Sequence, residues 1–277
     1  MALMTFNSYK AQTVEMLEKG IVNTVARTSD LLAEIPIELT NGLLYKYNTS
    51  DYDEQLEFKQ AGEEFTADGI ESTPIILELK HMGVYADVPL QFVKGQNIAD
   101  LRANTTEIKT ENFAKNLEKN MFYADGSGLA FKGFDKFIAD GIGTAVSGTL
   151  TYEKLCEAID AVSNANKMFC NRKTMRAIEK MLKTEGYKLG DITLEGGKVI
   201  KEFGGIELFV TETIKDNELF VMEFSNKGCG LLALQEPITV MDLGLMENRP
   251  IYRTMIEGSY SPIARQKSAL SKLTITA

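Results

Sequence analysis

Residues 42–73, GLLYKYNTSDYDEQLEFKQAGEEFTADGIEST, decide how the fold of this chain is interpreted. The pattern predicts two short strands, Leu43–Tyr47 and Gln55–Lys59, followed by a long polar return. A single base, Lys59, stands among eight acids between positions 51 and 71, which gives a local charge of −7. The acids are Asp51, Asp53, Glu54, Glu57, Glu63, Glu64, Asp68 and Glu71.

An isolated two-stranded ribbon is marginally stable in water. This segment also has little apolar surface with which to pack on its own domain. We therefore expect that another copy of the same chain holds it. The segment points to a protein that assembles rather than one that catalyses a reaction.

The composition sets limits on the class of protein. With 277 residues and 44% hydrophobic content, the chain can build one large domain or two smaller ones. Its net charge of −9 gives no reason to expect broad binding to nucleic acid or to an anionic membrane. The chain has neither a signal-peptide pattern nor an apolar run near the ~20 residues that span a bilayer, so we expect a soluble intracellular protein without a membrane partner.

The three cysteines, Cys156, Cys170 and Cys229, are scattered along the chain. They form neither a CxxC pair nor a zinc-binding spacing. We expect them to be reduced and mostly buried.

The segments on either side of 42–73 have the sequence patterns of helices and strands. Apolar residues spaced three and four apart predict a helix over 8–28, and Pro36 ends the segment after it. Residues 75–92 predict one long strand with a solvated face. Residues 97–125 form the longest helical pattern in the chain. Its apolar stripe is predicted to run through Ile98, Leu101, Thr105 and Ile108 and, after a phase shift, through Phe113, Leu117, Met121 and Ala124.

The sequence pattern changes after a glycine-rich link at 126–148. Thr151 and Asn171 are each predicted to cap a helix, with a short strand at 168–170 between them. Later strands are predicted at 206–210, 218–224, 230–234, 238–242, 251–260 and 267–276, the last two separated by Ser261–Pro262. This mixed order of helices and strands indicates an α+β protein with an inserted lobe at about 150–243.

The sequence lacks the usual signatures of catalysis. His81 is the only histidine, which excludes an HExxH zinc site, and neither GxSxG nor GxxxxGK[ST] is present. The glycine-containing strings at 126–128 and 196–198 have the wrong context for a phosphate loop, and the acidic segment lacks EF-hand spacing. We therefore predict no catalytic, cofactor-binding or metal-binding residues.

Several motifs occur in an order that resembles one known family. They are KGIVNTVARTSDLLAEIPIE (19–38), NGLLYKY (41–47), IESTPIILELK (70–80), NLEKNMFYADGSG (116–128), FKGF (131–134), TLTYEKLCEAIDAV (149–162), MFCNRKTMRAIEKM (168–181) and KEFGGIELFVTE (201–212). In this order they resemble the major capsid proteins of tailed bacteriophages, which have the Hong Kong 97-type fold. The resemblance covers most of the chain, although Glu207 stands where the family usually has a proline.

The resemblance implies an α+β capsid fold with four parts. These are an N-terminal arm at 1–41, an extended loop at 42–73, a peripheral domain with a long spine helix at 74–149 and 244–277, and an axial domain at 150–243. The extended loop would lie over a neighbouring subunit. The loop at 185–198, with Lys188, Asp191 and Lys198, would point toward the axis of the capsomer.

The resemblance also implies the partners of the protein. Copies would form pentamers and hexamers of an icosahedral shell around phage double-stranded DNA, which is packaged without sequence-specific binding. No large scaffolding region precedes the first helix, so a separate scaffolding protein is expected, together with a portal. The protein would be found in the virion capsid, and in the host cytoplasm during assembly. The motifs place no crosslinking trio, although Lys59 lies in the extended loop.

The acidic loop needs a complementary basic surface on its neighbour. We predict that this surface lies either on the spine helix or near the C-terminus. The candidates are Arg102, Lys115 and Lys119 on the helix, and Arg249, Arg253 and Arg265 near the C-terminus. Many weak polar contacts of this kind, repeated over a shell, can stabilise it.

Two other interpretations remain open. An encapsulin, which is a bacterial nanocompartment shell protein, has the same fold and a similar length, and only the contents of the shell would distinguish it. The other is an α+β enzyme or ligand-binding protein that uses His81 or the carboxylates around Glu63. That interpretation predicts a small oligomer in place of a shell.

Overall fold

The computed structural model describes residue 5 and residues 16–50, 72–93, 98–193 and 197–276. The helices are α1 Met16–Thr28, α2 Asp30–Glu34, α3 Leu90–Val93, α4 Ile98–Tyr123, α5 Phe134–Ala139, α6 Tyr152–Asp160 and α7 Arg172–Thr184, with a 3-10 turn at Lys267–Ala269. The strands are β1 Ile37–Thr40, β2 Leu44–Ser50, β3 Ser72–Glu78, β4 Lys80–Pro89, β5 Thr144–Gly148, β6 Lys167–Cys170, β7 Gly190–Thr193, β8 Val199–Phe203, β9 Ile206–Val210, β10 Glu218–Met222, β11 Cys229–Leu234, β12 Thr239–Leu245, β13 Ile251–Ala264 and β14 Leu270–Ile275.

A five-stranded sheet is built around the long strand β13. Strand β4 pairs with one edge of β13, while β12 and then β11 pair with the other edge, and β1 adds to β11 in parallel. The predicted break at Ser261–Pro262 is wrong, because β13 continues through both residues. Pro262 lies opposite Leu231 and beyond the last residue paired with β4. Proline is tolerated there because that edge has no described strand to receive its missing N–H.

A seven-stranded sheet has the order β5-β14-β10-β6-β9-β8-β7. Leu155 of α6 and Ile178 of α7 belong to the apolar cluster on one of its faces. Phe122 of α4 and Phe134 of α5 pack with Phe169, Phe209 and Phe220 in the larger core. The two helices of the inserted lobe therefore share an apolar layer separate from that of the long helix.

The division between the two sheets does not coincide with the predicted boundaries at 150 and 243. Strand β14, which lies outside that range, pairs with β10 of the inserted lobe, and β5, also outside it, pairs with β14. Strands β11 and β12, which lie inside it, pair in the five-stranded sheet. Strand pairing between distant parts of the chain decides this division, and no local pattern shows it.

The predicted long helix is present as α4, with 26 residues. In the second half of its predicted apolar stripe Phe113, Leu117 and Met121 are buried. In the first half Leu101 and Thr105 are half-buried, but Ile108 is 51% exposed and does not belong to the buried face. The buried stripe continues backward from Phe113 through Thr110 and Thr106 without a phase shift. Threonine is tolerated there because the Thr110 hydroxyl donates a hydrogen bond to the Thr106 carbonyl at 2.7 Å.

The single strand predicted over 75–92 is instead two strands and a helix. The chain leaves β3 at Glu78, passes through the buried Leu79 and continues as β4 in a different sheet. Residues 90–93 then form α3. The predicted link at 126–148 likewise contains α5 and β5.

Two glycine motifs of the sequence have specific packing roles. A Cβ at Gly133, in the FKGF motif, would lie 2.7 Å from the Ala124 nitrogen at the end of α4. Gly204 and Gly205 join β8 to β9 in a two-residue hairpin and have φ values of 62° and 84°. Such a turn requires positive φ at both positions, which glycine adopts without strain.

Candidate assembly surfaces

A two-stranded ribbon, β2 paired antiparallel with β3, projects from the five-stranded sheet. Its register runs from Leu44 opposite Glu78 to Ser50 opposite Ser72. The predicted strand at 43–47 is therefore present, and its described partner is 72–78. The predicted strand Gln55–Lys59 lies outside the described residues.

The two faces of the ribbon differ in what they contact. Alternate side chains of a strand point to opposite faces. On one face Tyr47 and Leu77 are 8% and 5% exposed and belong to the main core. On the other face Leu44 and Ile76 are 70% and 65% exposed. The base of the ribbon is thus held by its own subunit, while Leu44 and Ile76, on a face that also carries Lys46 and Glu78, stay uncovered by the described chain.

Polar contacts add to this attachment. The Tyr47 hydroxyl donates to the Ala264 carbonyl at 2.9 Å, and the Tyr45 hydroxyl donates to Glu38 Oε1 at 2.7 Å. Arg265 pairs with the other oxygen of Glu38. Burial raises the pKa of the Tyr47 hydroxyl, so it remains a neutral donor at physiological pH. The ribbon therefore leaves the subunit in a defined direction.

The predicted acidic contacts lie beyond this ribbon. They are Asp51, Asp53, Glu54, Glu57, Glu63 and Glu64, together with Lys59, and all of them lie outside the described residues. The whole acidic segment, 51–71, lies outside the described residues. It begins after Ser50 and ends before Ser72, at the end of the ribbon farthest from Leu44 and Glu78.

Three of the six predicted basic partners already form ion pairs within the subunit. Arg102 lies 2.5 Å from Asp242, and Arg253 lies 2.7 Å from Asp87. Arg265 pairs with Glu38. Each of these cations bridges separate elements of the same chain, so its charge is already balanced.

The other three predicted cations, Lys115, Lys119 and Arg249, are exposed. None of them has an acidic partner within 4.0 Å among the residues that the structure describes. Acidic side chains share this surface of α4, since Glu111 lies four residues before Lys115. Glu107 and Glu111 also lie within 4 Å of Arg27 of α1. The exposed surface of the helix is therefore mixed in charge.

A stronger basic surface lies on α7 and was missed at the level of sequence. We call it the α7 basic face: Arg172, Lys173, Arg176, Lys180 and Lys183, all exposed. Their spacing of three and four residues places them on one side of a helix, so the pattern could have been found by the same rule that finds apolar stripes. Only the pairing of Lys173 with Asp216, at 2.6 Å, balances one of these charges among the described residues.

The predicted axial loop, 185–198, contains β7, which pairs with β8 directly after the loop. Lys188 is exposed, and Asp191 pairs with Lys201 at 2.8 Å within the hairpin. Lys198 lies 2.5 Å from Asp30 at the start of α2. This loop is therefore tied to the N-terminal segment as well as to its own sheet.

A buried carboxylate joins the long helix to the seven-stranded sheet. Glu118 of α4 is 2% exposed, and its Oε1 accepts hydrogen bonds from the hydroxyls of Thr211 and Thr213 at 2.5 and 2.9 Å. Burial raises the pKa of Glu118, and the hydrogen bonds oppose that shift only in part. A buried carboxyl held by structural hydroxyls acts as a joint between elements.

His81 lies on β4 between the side chains of Glu257 and Ser259, which belong to β13. Its Nε2 lies 3.2 Å from Glu257, its Nδ1 lies 3.2 Å from the Ser259 hydroxyl, and its side chain is 63% exposed. A cleft of about 450 Å³ lies between α6 and β8, and His81 does not line it. Among the described residues, no three His, Cys, Asp or Glu side chains are grouped to hold a metal ion. No described helix is long and apolar enough to cross a membrane.

Solved structures with the same fold include shells of several kinds. The chain is similar to the SrpI encapsulin from Synechococcus elongatus PCC 7942, at 14% identity and a TM-score of 0.72, over 99% of this chain and 96% of the encapsulin. It is similar to the capsid of an empty GTA particle at 14% identity and 0.67, over 90% of each chain. For Microbacterium phage Oxtober96 the values are 12% and 0.65, over 90% and 91%. The predicted α+β capsid fold of the Hong Kong 97 type is thereby confirmed.

Sequence comparison identifies the family. No curated protein sequence matches this chain. The sequence model of the phage capsid family, however, matches residues 13–227, which is most of the chain. The prediction from the ordered motifs is confirmed. The chain belongs to the phage capsid family and is a shell-forming structural protein of the virion capsid.

Proposed function

We propose that copies of this protein form the pentamers and hexamers of an icosahedral shell that encloses phage double-stranded DNA. The family match over 13–227 carries this proposal. The form of the subunit agrees with it. A ribbon anchored on one face by Tyr47 and Leu77 exposes two large apolar side chains, Leu44 and Ile76, on its other face, and the described chain leaves them uncovered. Contact with neighbouring copies would cover such a surface.

In this proposal the extended loop, 42–73, is an intersubunit strap. Its base is held by the subunit to which it belongs, and its acidic segment contacts a neighbour. The peripheral domain would contain α4 and the five-stranded sheet, and the axial domain would contain the seven-stranded sheet with α6 and α7. This division follows strand pairing. It assigns β5 and β14 to the axial domain, so the proposed domain differs from the range 150–243.

Lys188 and Asp191 would then lie near the axis of a capsomer. Assembly would take place in the host cytoplasm with a separate scaffolding protein and a portal. These partners follow from the proposed phage function and are tested by co-expression with the products of the neighbouring phage genes. Enzymatic activity has no part in this proposal.

An encapsulin-type shell is the second candidate, and the similarity to the SrpI encapsulin over 99% of this chain favours it. The fold alone does not separate a capsid from a nanocompartment. The difference lies in the contents, since a capsid encloses DNA and an encapsulin encloses a cargo protein.

Electron microscopy and light scattering of the protein, purified from its phage and after expression with and without a scaffolding protein, test the proposal. We expect closed shells of uniform size whose nuclease-resistant content is double-stranded DNA. Shells that hold a protein cargo and no DNA would establish the encapsulin alternative. Monomers or dimers under every salt condition would contradict both and would favour a small enzyme or binding protein, for which His81→Ala then tests loss of activity.

A further inference from the structure

The α7 basic face carries positive charge that is largely unbalanced among the described residues. Helix α7 carries five bases and one acid, Glu179, on a chain whose net charge is −9. The buried residues Thr174, Ile178 and Leu182 fix the orientation of the helix. The cations therefore point away from the sheet in a row that is about 16 Å long from Arg172 to Lys183.

The five cations are exposed, so the packing of the subunit core does not explain why they are there. Lys173 has an acidic partner, but no acid lies within 4.0 Å of the other four among the described residues. Like charges at a spacing of four residues on a helix repel one another and destabilise it. A partner of opposite charge would offset this repulsion, which suggests that the face has an anionic partner.

The sequence contains an anionic partner of matching size. The acidic segment, 51–71, has a charge of −7 and begins and ends at the outer end of the ribbon, where Ser50 and Ser72 are paired. About ten residues in each direction let it reach at most about 35 Å from that point. We propose that the α7 basic face of one subunit binds the acidic segment of a neighbouring copy.

This inference rests on the proposed shell function and names the surface that receives the strap. A neighbouring copy is favoured because the ribbon is anchored on the five-stranded sheet, whereas α7 covers the seven-stranded sheet. It replaces the earlier candidates because Arg102, Arg253 and Arg265 are already paired with acids of the same chain. Lys115, Lys119 and Arg249 remain, but the two lysines lie on a surface of mixed charge, and Arg249 is a single cation between β12 and β13.

The physical consequences follow from screened electrostatics. Each exposed ion pair contributes little, but complementary charged surfaces steer association and set register, and a shell repeats the contact many times. The Debye length falls from about 10 Å at 0.1 M salt to about 3 Å at 1 M. We therefore expect the assembly rate to fall steeply with salt in the wild type.

Charge reversal tests the contact. Arg176→Glu with Lys180→Glu reverses the centre of the α7 basic face, and Lys115→Glu with Lys119→Glu is the matched control on α4. We expect the yield of shells in sedimentation to be at least tenfold lower for the α7 variant than for wild type. The yield of the control should stay within twofold of wild type. Adding Glu63→Lys with Glu64→Lys to the α7 variant is expected to restore most of the shells.

A direct measurement covers the case in which a variant fails to fold, as judged by circular dichroism. Wild-type shells are assembled from equal parts of ¹⁴N- and ¹⁵N-labelled subunits and treated with a carbodiimide, which joins an adjacent amine and carboxylate with loss of water. Mass spectrometry should find mixed-label peptides that join Lys180 or Lys183 to residues 51–71. Links between other surfaces of neighbouring copies, with none to α7, would overturn the inference.

The remaining outcomes are distinct from one another. Wild-type shells together with normal assembly of the α7 variant would overturn this contact and leave the shell function intact. An assembly defect in the α4 control alone would assign the strap to Lys115 and Lys119. An α7 variant that forms normal shells with less DNA would show that the face binds packaged nucleic acid. Absence of shells from the wild type would overturn the proposed function and this inference together.

Discussion

Arg253 and Asp87 form two parallel hydrogen bonds across the β13–β4 pair, each of 2.7 Å. This fork geometry is specific to arginine and carboxylate. The guanidinium also lies over the Tyr85 ring, 4.4 Å from its centroid. Arg253 was expected to bind the acidic loop of a neighbour, and its contacts instead join two strands of one sheet. The finding shows how a charge that looks available in the sequence can be used inside the subunit.

The Arg253–Asp87 pair makes a pH-dependent contribution to stability. Its hydrogen bonds lower the pKa of Asp87 below the ordinary value of 3.8. The contribution is therefore present above pH 3.8 and is lost as the pH falls through the lowered pKa. Asp87→Asn should melt at a lower temperature than wild type at pH 7, and the difference should shrink below pH 3.8. A difference in melting temperature that does not change with pH would contradict this role.

Glu118 should show the opposite dependence. Burial raises its pKa above 4.5, so the folded state favours the protonated form, and that stabilisation is lost as the pH rises through the raised pKa. Glu118→Gln keeps an acceptor for Thr211 and Thr213 and stays neutral. The melting temperature of this variant, relative to wild type, should therefore increase between pH 4.5 and pH 8. Glu118→Ala serves as the comparison and should cost about 1–3 kcal/mol, because it leaves the buried Thr211 hydroxyl without its carboxylate acceptor.

The base of the ribbon can be tested on its two faces separately. Tyr47→Phe removes the hydrogen bond to Ala264 and should cost about 1 kcal/mol, while Tyr47→Ala should cost about 3–5 kcal/mol in chemical denaturation. Ile76→Ser, on the exposed face, should change subunit stability by less than about 0.5 kcal/mol. It should nevertheless reduce shell formation. Normal shells from Ile76→Ser would mean that this face stays exposed to solvent after assembly.

Removal of the acidic segment separates folding from assembly. Ser50 lies directly opposite Ser72, so a two-residue Asn-Gly turn can replace 51–71 and close the hairpin. We expect this variant to be folded by circular dichroism and to form no closed shells. Replacement of 51–71 by a glycine-serine segment of equal length controls for the loss of chain length. Global unfolding of the shortened variant would show that the segment belongs to the core of its own subunit.

Local patterns predicted α4, α6 and α7 but did not predict α3 or α5. Of the helix predicted over 8–28, residues 16–28 are present as α1, and 8–15 lie outside the described residues. The extent of α4 followed from its spacing, and the caps at Thr151 and Asn171 are present, with side chains that accept hydrogen bonds from Lys154 and Lys173. These features depend on residues within one or two turns of each other, so the chain near them contains the information. The prediction that Ile108 is buried was wrong. Thr106 and Thr110 are buried in its place, because the packing of the whole helix fixes which face is inward.

The candidate contacts were harder to predict. The acidic segment is visible in the sequence. The sequence does not show which of the candidate basic residues already pair with acids of the same chain. Arg102 pairs with an acid 140 positions later in the chain, and Arg265 pairs with one 227 positions earlier. No pattern in a single sequence reports such distances. The α7 basic face, in contrast, is visible in the sequence from the spacing of its cations alone.

By itself, the sequence determined the α+β class, the long helix, the acidic segment and, through the order of its motifs, the family. These properties are encoded by neighbouring residues and by composition. Only the tertiary structure decided which strands share a sheet, where the chain passes from β3 to β4 at Leu79, and which cations keep an unbalanced charge. The physical reason is that strand pairing and ion pairing join residues far apart in the chain, and their partners are set by the packing of the whole subunit.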